Sequence, residues 1–214
     1  MKAAVIGATG AIGKDLVSQI LADDQFEQVE IFVRKEAGLS HPKLVSHVVD
    51  FSHPEHWAGD VRADVAFSCM GTTLHAAGSK TAQYVVDHDY QLHFARGARQ
   101  NGVDTFVLVS SIGASAASWV FYSRMKGEIE RDVKALGFPH LVIVRPSLLI
   151  RKGTDRFAEK LGLPFIRFFN KFGLFKDRAP IETAVVAQSM IALSKSPSER
   201  CKIVEGEEVR LYQS

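Results

Sequence analysis

The chain is 214 residues long, 46% hydrophobic and 23% charged, which suits one ordinary globular domain rather than two. Folding at this length buries about 70% of the unfolded surface, so no disulfide or structural metal is needed; Cys69 and Cys201 form neither a secreted framework nor a CxxC knuckle, and a reducing cytosol is the simplest location. A net charge of +2 gives no reason to expect nucleic-acid binding, and the apolar runs fall far short of the ~20 residues of a membrane-spanning helix.

Residues 2–6 are an apolar run ending at Gly7, and a glycine-punctuated turn then opens residues 11–22, where Ile12, Leu16, Ile20 and Leu21 keep helical spacing. A strand starting at the second residue leaves no room for a cleavable leader. Residues 29–33, 44–49 and 65–69 read as strands two to four. Residues 81–100 read as one long helix closed by Asn101-Gly102, with Tyr84, Val85, His88, Leu92 and Ala95 along one side. Strand five is 105–109, a helix over 120–136 stops at Gly137, and strand six is 140–144. This alternation predicts an α/β fold, a doubly wound parallel sheet of Rossmann type with helices on both faces.

Past residue 150 the pattern changes. Residues 151–180 hold eight basic and three acidic residues interleaved with six phenylalanines. Phenylalanines packed on the sheet edge beneath solvated charges, a substrate cover, and a surface for a protein partner or an anionic membrane are all compatible with that composition. Residues 181–194 read as an amphipathic helix, and 202–204 with 208–211 as a small terminal hairpin. The whole chain is thus expected to be one domain, a cofactor-binding core over 1–150 and a C-terminal substrate or covering region over 151–214, either monomeric or a homodimer.

Gly7, Gly10 and Gly13 follow the first strand directly at GxxGxxG spacing and open the first helix. Glycine is needed where a turn takes unusual dihedrals, where backbone must approach a pyrophosphate, and where helix packs tightly on strand; the helix N-terminus then faces the phosphates with free N–H groups. Strand two ends in Arg34-Lys35, two cations where an acidic residue would hold the ribose 2′-hydroxyl of NAD, so NADP(H) is favoured. Glu36 follows closely, and a merely solvated basic turn is the alternative.

Strand five runs into Ser110-Ser111, and Tyr122 and Lys126 are four residues apart on the next helix, hence on one face. An ammonium beside a phenol lowers the phenol's pKa toward neutrality, as a general acid/base requires, and a serine at the strand end can hold a substrate oxygen against it. Either serine can serve. The histidines lack the spacing of a metal site, and neither a Gly-x-Ser-x-Gly elbow nor a GxxxxGK[ST] loop is present.

GATGAIG at 7–13, Arg34, Cys69-Met70-Gly71-Thr72-Thr73, Asp87-His88-Asp89-Tyr90, VSSIGAS at 109–115 and YSRMKGEIE at 122–130 together resemble the atypical short-chain dehydrogenases/reductases. Among these the chain is most similar to the Tat-interacting-protein-like oxidoreductases and their bacterial relatives. The resemblance implies that Gly7, Thr9, Gly10, Ile12 and Gly13 cradle the pyrophosphate of NADP(H). Arg34 would meet the 2′-phosphate, Asp50 would lie by the adenine, and Gly71 and Thr72 would pass near the ribose. Ser111 would orient a small carbonyl substrate, Tyr122 would be the acid/base, and Lys126 would bind the nicotinamide ribose and tune Tyr122. Pro146 and Leu148 would border the nicotinamide. The classical branch of the superfamily carries Asn-Asn-Ala-Gly after strand four and a catalytic Asn, where this chain has Cys69 to Thr73. An NADPH-dependent oxidoreductase is the first expectation. A non-catalytic NADP(H) sensor that regulates a protein partner through residues 151–180 is the second.

Overall fold

In a computed structural model describing residues 1–150, 180–197 and 199–212, seven strands form one sheet. They are β1 (Lys2–Ile6), β2 (Gln28–Val33), β3 (Leu44–Val48), β4 (Val65–Ser68), β5 (Thr105–Val109), β6 (His140–Arg145) and β9 (Cys201–Glu205), in the order β3-β2-β1-β4-β5-β6-β9, every pair parallel. Chain direction across the sheet reverses between β1 and β4, the crevice in which open α/β sheets bind their ligands. Leu149–Ile150 (β7) and Ile181–Glu182 (β8) form a separate short parallel pair.

Alternation along each strand divides the core. Ala3 and Val5 of β1 face one side with Ile12, Leu16 and Ile20 of α1 (Ala11–Ala22) and with Val186 and Met190 from the last helix, Thr183–Lys195. Ala4 and Ile6 face the other side with Leu92 and Phe94 and with Ile129 and Val133 of α5 (Phe121–Ala135). The second side carries an aromatic chain in which Phe32 meets Phe94 at 5.6 Å and Trp57 at 5.9 Å, and Phe106 stacks on Phe138 at 4.8 Å. Each such side chain taken from water contributes about 1.5–3 kcal/mol, so both faces are strongly held.

The expected long helix over 81–100 is continuous in direction but not in winding. Lys80–Tyr84 (α3) and Tyr90–Gln100 (α4) are α-helical, and Val85–Asp89 between them make a π-turn. The short α2 (Leu74–Ala77) precedes them, its N-terminus capped by Thr73. The expected terminal hairpin does not form. Residues Cys201–Glu205 pair with β6 in parallel, so the stretch adds a seventh strand to the sheet, and Gly206–Tyr212 coil into a 3₁₀ helix. This tail is pinned by Ser189, whose hydroxyl donates to the Val209 carbonyl at 2.5 Å. The phenylalanine- and lysine-rich stretch lies, except for Pro180, outside the described residues.

Arg145 at the end of β6 joins three elements. Its guanidinium donates to both carboxylate oxygens of Glu130 on α5, at 2.8 and 2.6 Å, and to Glu205 of β9 at 3.0 Å. Glu130 is only 3% exposed. Arg145→Met would strand that carboxylate without its cation, and a loss of about 3–5 kcal/mol is expected in urea denaturation. A loss below about 1 kcal/mol would show that the pair does not fasten α5 to the sheet.

Candidate functional site

The glycine turn has no room for side chains. Gly7 has a φ of +81°, and a Cβ there would lie 2.5 Å from the Met70 nitrogen and 2.6 Å from the Cys69 carbonyl carbon. A Cβ on Gly13 would stand 2.1 Å from the Gly7 oxygen. Gly10 donates from its backbone to the Gly7 carbonyl at 2.9 Å and is the N-cap of α1 with no side-chain cap, and the helix has no acidic residue in its first turn. Thr9 and Gly10 are exposed while Ile12 and Gly13 are buried. The result is a bare, glycine-lined helix start at the crevice between β1 and β4, with donors and a partial positive charge facing outward, which fits a dinucleotide pyrophosphate.

Other expected cofactor contacts are spread along the carboxyl end of the sheet. Arg34 and Lys35 are both exposed just past β2. Asp50, beyond β3, is tied up locally: it accepts from the backbone N–H and the hydroxyl of Ser52 at 2.9 and 2.5 Å, and these bonds hold its carboxyl below the usual range. Gly71 is exposed and Thr72 half-buried on the loop after β4. Pro146 is buried after β6, where its carbonyl accepts from the Ile112 N–H at 3.3 Å, and Leu148 leads into β7. Cys69 is half-buried at the end of β4, and burial pushes its thiol up, away from nucleophilic character. On the turn after Asp50, His53, Glu55 and His56 each bring one ligand atom within 4.8 Å of the others, all three residues exposed, a grouping that helical-spacing rules for histidines overlook.

Tyr122 and Lys126 lie on one face of α5 as the four-residue spacing requires, with the ammonium 5.9 Å from the phenol ring centre. Of the two serines, Ser111 is the one in hydrogen-bond contact with the Tyr122 phenol, and its hydroxyl also donates to the Ile112 carbonyl at 3.1 Å. Ser110 is buried with its hydroxyl unpartnered. The loop that carries these serines is locked onto α5: a Cβ on Gly127 would fall 2.1 Å from the Ala116 nitrogen, and Ser115 donates to the Ser123 carbonyl at 3.0 Å.

One central residue had no role in the sequence reading. Asp87, on the π-turn, forms an ion pair with Lys126 at 3.1 Å, and the two side chains are only 1% and 4% exposed. The same carboxylate accepts the Thr72 N–H at 2.8 Å, while Gln83 donates to the Thr72 carbonyl at 3.1 Å. Gln91 donates to the Asp87 carbonyl at 2.5 Å and accepts from Ser68 at 2.7 Å. Next to it His88 is buried between Asp89 at 2.8 Å and Asp132 at 3.0 Å. The signal was present in the Asp-His-Asp-Tyr run, but helical periodicity places Asp87 on no particular partner; the π-turn turns it inward.

The surroundings, burial foremost, also correct the expected tuning of the phenol. Burial pushes Tyr122 up; Lys126 pulls it down, Asp87 pushes it up again and Ser111 pulls it down, and the balance is a raised pKa rather than a lowered one. Burial works against the charge on Lys126, but Asp87 together with Tyr122 and Glu130 more than offsets it, and the ammonium is stabilised.

Comparison with known proteins bears on the family and the fold. A family model described as NAD(P)H-binding matches residues 7–197. Protein FMP52, mitochondrial, of Candida glabrata is 40% identical over 156 residues, covering 72% of this chain and 66% of that protein, a little short of two thirds of the relative's length. The Aspergillus clavatus protein fmp52, mitochondrial, is 36% identical over 225 residues, covering 96% and 95%. Among solved structures, a Thermotoga maritima UDP-glucose 4-epimerase with UDP-glucose superposes with a TM-score of 0.73 at 13% identity, covering 100% of this chain and 81% of that one. The Lactococcus lactis oxidoreductase ylbE superposes at 0.71 and 19%, covering 95% and 89%. At such identities these two establish the fold alone. The mitochondrial naming of the relatives overturns the cytosolic location expected from the cysteines. Free thiols indicate a reducing environment and do not choose between reducing compartments. No helix among the described residues is long and apolar enough to cross a membrane.

Since a methyl group at position 13 would collide with the Gly7 carbonyl, Gly13→Ala should weaken coenzyme binding at least about tenfold in a fluorescence titration, equivalent to ~1.4 kcal/mol. Unchanged affinity would show that the turn does not form the coenzyme cradle.

Proposed function

The chain belongs to the NAD(P)H-binding family, among the atypical short-chain dehydrogenases/reductases, and from that premise we propose that it is an NADP(H)-dependent oxidoreductase acting on a small carbonyl compound. The observation that carries this reading is the meeting of Ser111, Tyr122 and Lys126 in a chain whose first helix also begins free of side chains. A binding module has no need of a phenol, a hydroxyl and a buried ammonium gathered at one place.

Gly7, Thr9, Gly10, Ile12 and Gly13 would hold the pyrophosphate through backbone N–H groups. Arg34, with Lys35 beside it, would pair with the 2′-phosphate; a guanidinium suits a phosphate through two parallel hydrogen bonds. Lys126 would bind the nicotinamide ribose, Gly71 and Thr72 would flank a ribose, and Pro146 and Leu148 would wall the nicotinamide. When bound, the coenzyme supplies the hydride that goes to the carbonyl carbon. Ser111 holds the carbonyl oxygen, and Tyr122 gives that oxygen its phenolic proton as negative charge develops there, so the carbonyl becomes an alcohol. The half-buried setting of Tyr122 and Ser111 limits competing water.

Two measurements test this. NADPH should bind in clear preference to NADH, and Arg34→Ala should lower NADPH affinity by about 10- to 100-fold while leaving NADH affinity nearly unchanged, the loss of one charge-assisted contact. Equal affinities in the unaltered protein would refute the NADP(H) assignment. NADPH consumption with a panel of aldehydes, ketones and quinones should fall by about 10²–10⁴ in Tyr122→Phe. Tight NADPH binding with no compound turned over would favour a sensor over an enzyme.

A further inference from the structure

We propose that Asp87 is a positioning residue that holds Lys126 as half of a neutral buried pair, so that Tyr122 rests as a protonated donor and the site is built for carbonyl reduction rather than alcohol oxidation. The consequence for catalysis rests on the reading of Tyr122 as the proton carrier. The electrostatic claim does not.

Charge counting inside the site leads there. A lone lysine four residues from a tyrosine gives a site of charge +1, which ionising the phenol neutralises; the phenolate is then favoured. Here the ammonium already has a carboxylate at 3.1 Å, both almost fully enclosed. Ionising Tyr122 would therefore take a neutral site to −1 in a poorly solvated place, which is costly. The other groups do not reverse this. Ser111 offers a hydroxyl only, and Glu130, one turn along α5 from Lys126, adds a further negative charge that is held by Arg145. The phenol's upward shift, to which burial contributes most, agrees with this count.

Asp87 is also held where it must be for this task. The π-turn turns it inward, the Thr72 N–H fixes one carboxylate oxygen at 2.8 Å, and Lys126 takes the other. Thr72 belongs to the loop expected beside the coenzyme ribose, so one carboxylate couples the position of that loop to the charge of the lysine. A phenol that keeps its proton at neutral pH can donate it to a forming alkoxide at once. Alcohol oxidation needs the phenolate as base, and that form is scarce here.

The test titrates the phenolate near-ultraviolet absorbance of Tyr122 in coenzyme-free protein, as the difference between a protein and its Tyr122→Phe partner. Without Asp87 changed, the Tyr122 contribution should be absent at about pH 9, below the ordinary phenol value of ~10. In Asp87→Asn, which keeps an oxygen for the Thr72 N–H and removes the charge, the midpoint should move down by at least about one pH unit, a tenfold change. A merely structural role would reduce stability and leave the Tyr122 midpoint in place; that outcome overturns the proposal. Should Asp87→Asn not fold, the unaltered pair decides: a Tyr122 midpoint at or below the ordinary ~10 overturns it, and a midpoint above that value supports it. Because no substrate or coenzyme enters the titration, a failure of carbonyl turnover leaves its result standing, and the two readings fail separately.

Discussion

The structure depends on the contact between Gly7 and the backbone of Cys69 and Met70. A strand that must deliver its chain into a helix, across the point where strand order reverses, leaves the first turn pressed against the end of β4, and the space is too small for a Cβ. Because Gly7 also takes a left-handed φ, no other residue satisfies both demands without strain. Gly13 then lets α1 close onto the same turn. What remains at the crevice is backbone, and backbone N–H groups at a helix start are suited to phosphate for the same reason that side chains are excluded.

The second organising feature is a pair of buried ion clusters along α5. Lys126 is matched by Asp87, and Glu130 by Arg145, which also reaches Glu205. They share one face of the helix, four residues apart, and point to different jobs. The first connects Lys126, beside Tyr122, to the loop after β4; the second fastens the helix to β6 and to the last strand. Burying charges this deeply contributes little net stability, since desolvation offsets most of the attraction, but breaking one partner away is expensive. The arrangement therefore fixes position more than it adds to the free energy of folding.

Much of this was legible in the chain. Strands β1 to β6 follow from short β-branched runs, the glycine turn from its place after the first strand, and the Tyr122–Lys126 face from a spacing of four. What could not be read depends on separations that periodicity ignores. The last strand pairs with β6 some 60 residues earlier, so Cys201–Glu205 alone resembled half of a hairpin. The π-turn adds a residue to a helical path whose composition looks ordinary, and only contacts with Lys126, 39 residues on, show why Asp87 faces inward. Which serine lies against the Tyr122 phenol likewise needed the position of α5, since both are chemically equal and adjacent.

The net charge of +2 also takes on a different meaning. Inside the domain, cations are matched by carboxylates: Lys126 is neutralised by Asp87, and Arg145 is shared between two glutamates. At the carboxyl end of the sheet the arrangement is unlike this: Arg34 and Lys35 stand exposed beyond β2, and α1 begins there without an acidic residue in its first turn. A coenzyme carrying several phosphate charges would meet positive potential where it docks and a neutral site where its hydride is delivered. That division is useful chemically. Excess positive charge beside the phenol would release its proton before a carbonyl arrived, whereas positive charge at the far end of the crevice attracts the phosphates without disturbing the acid.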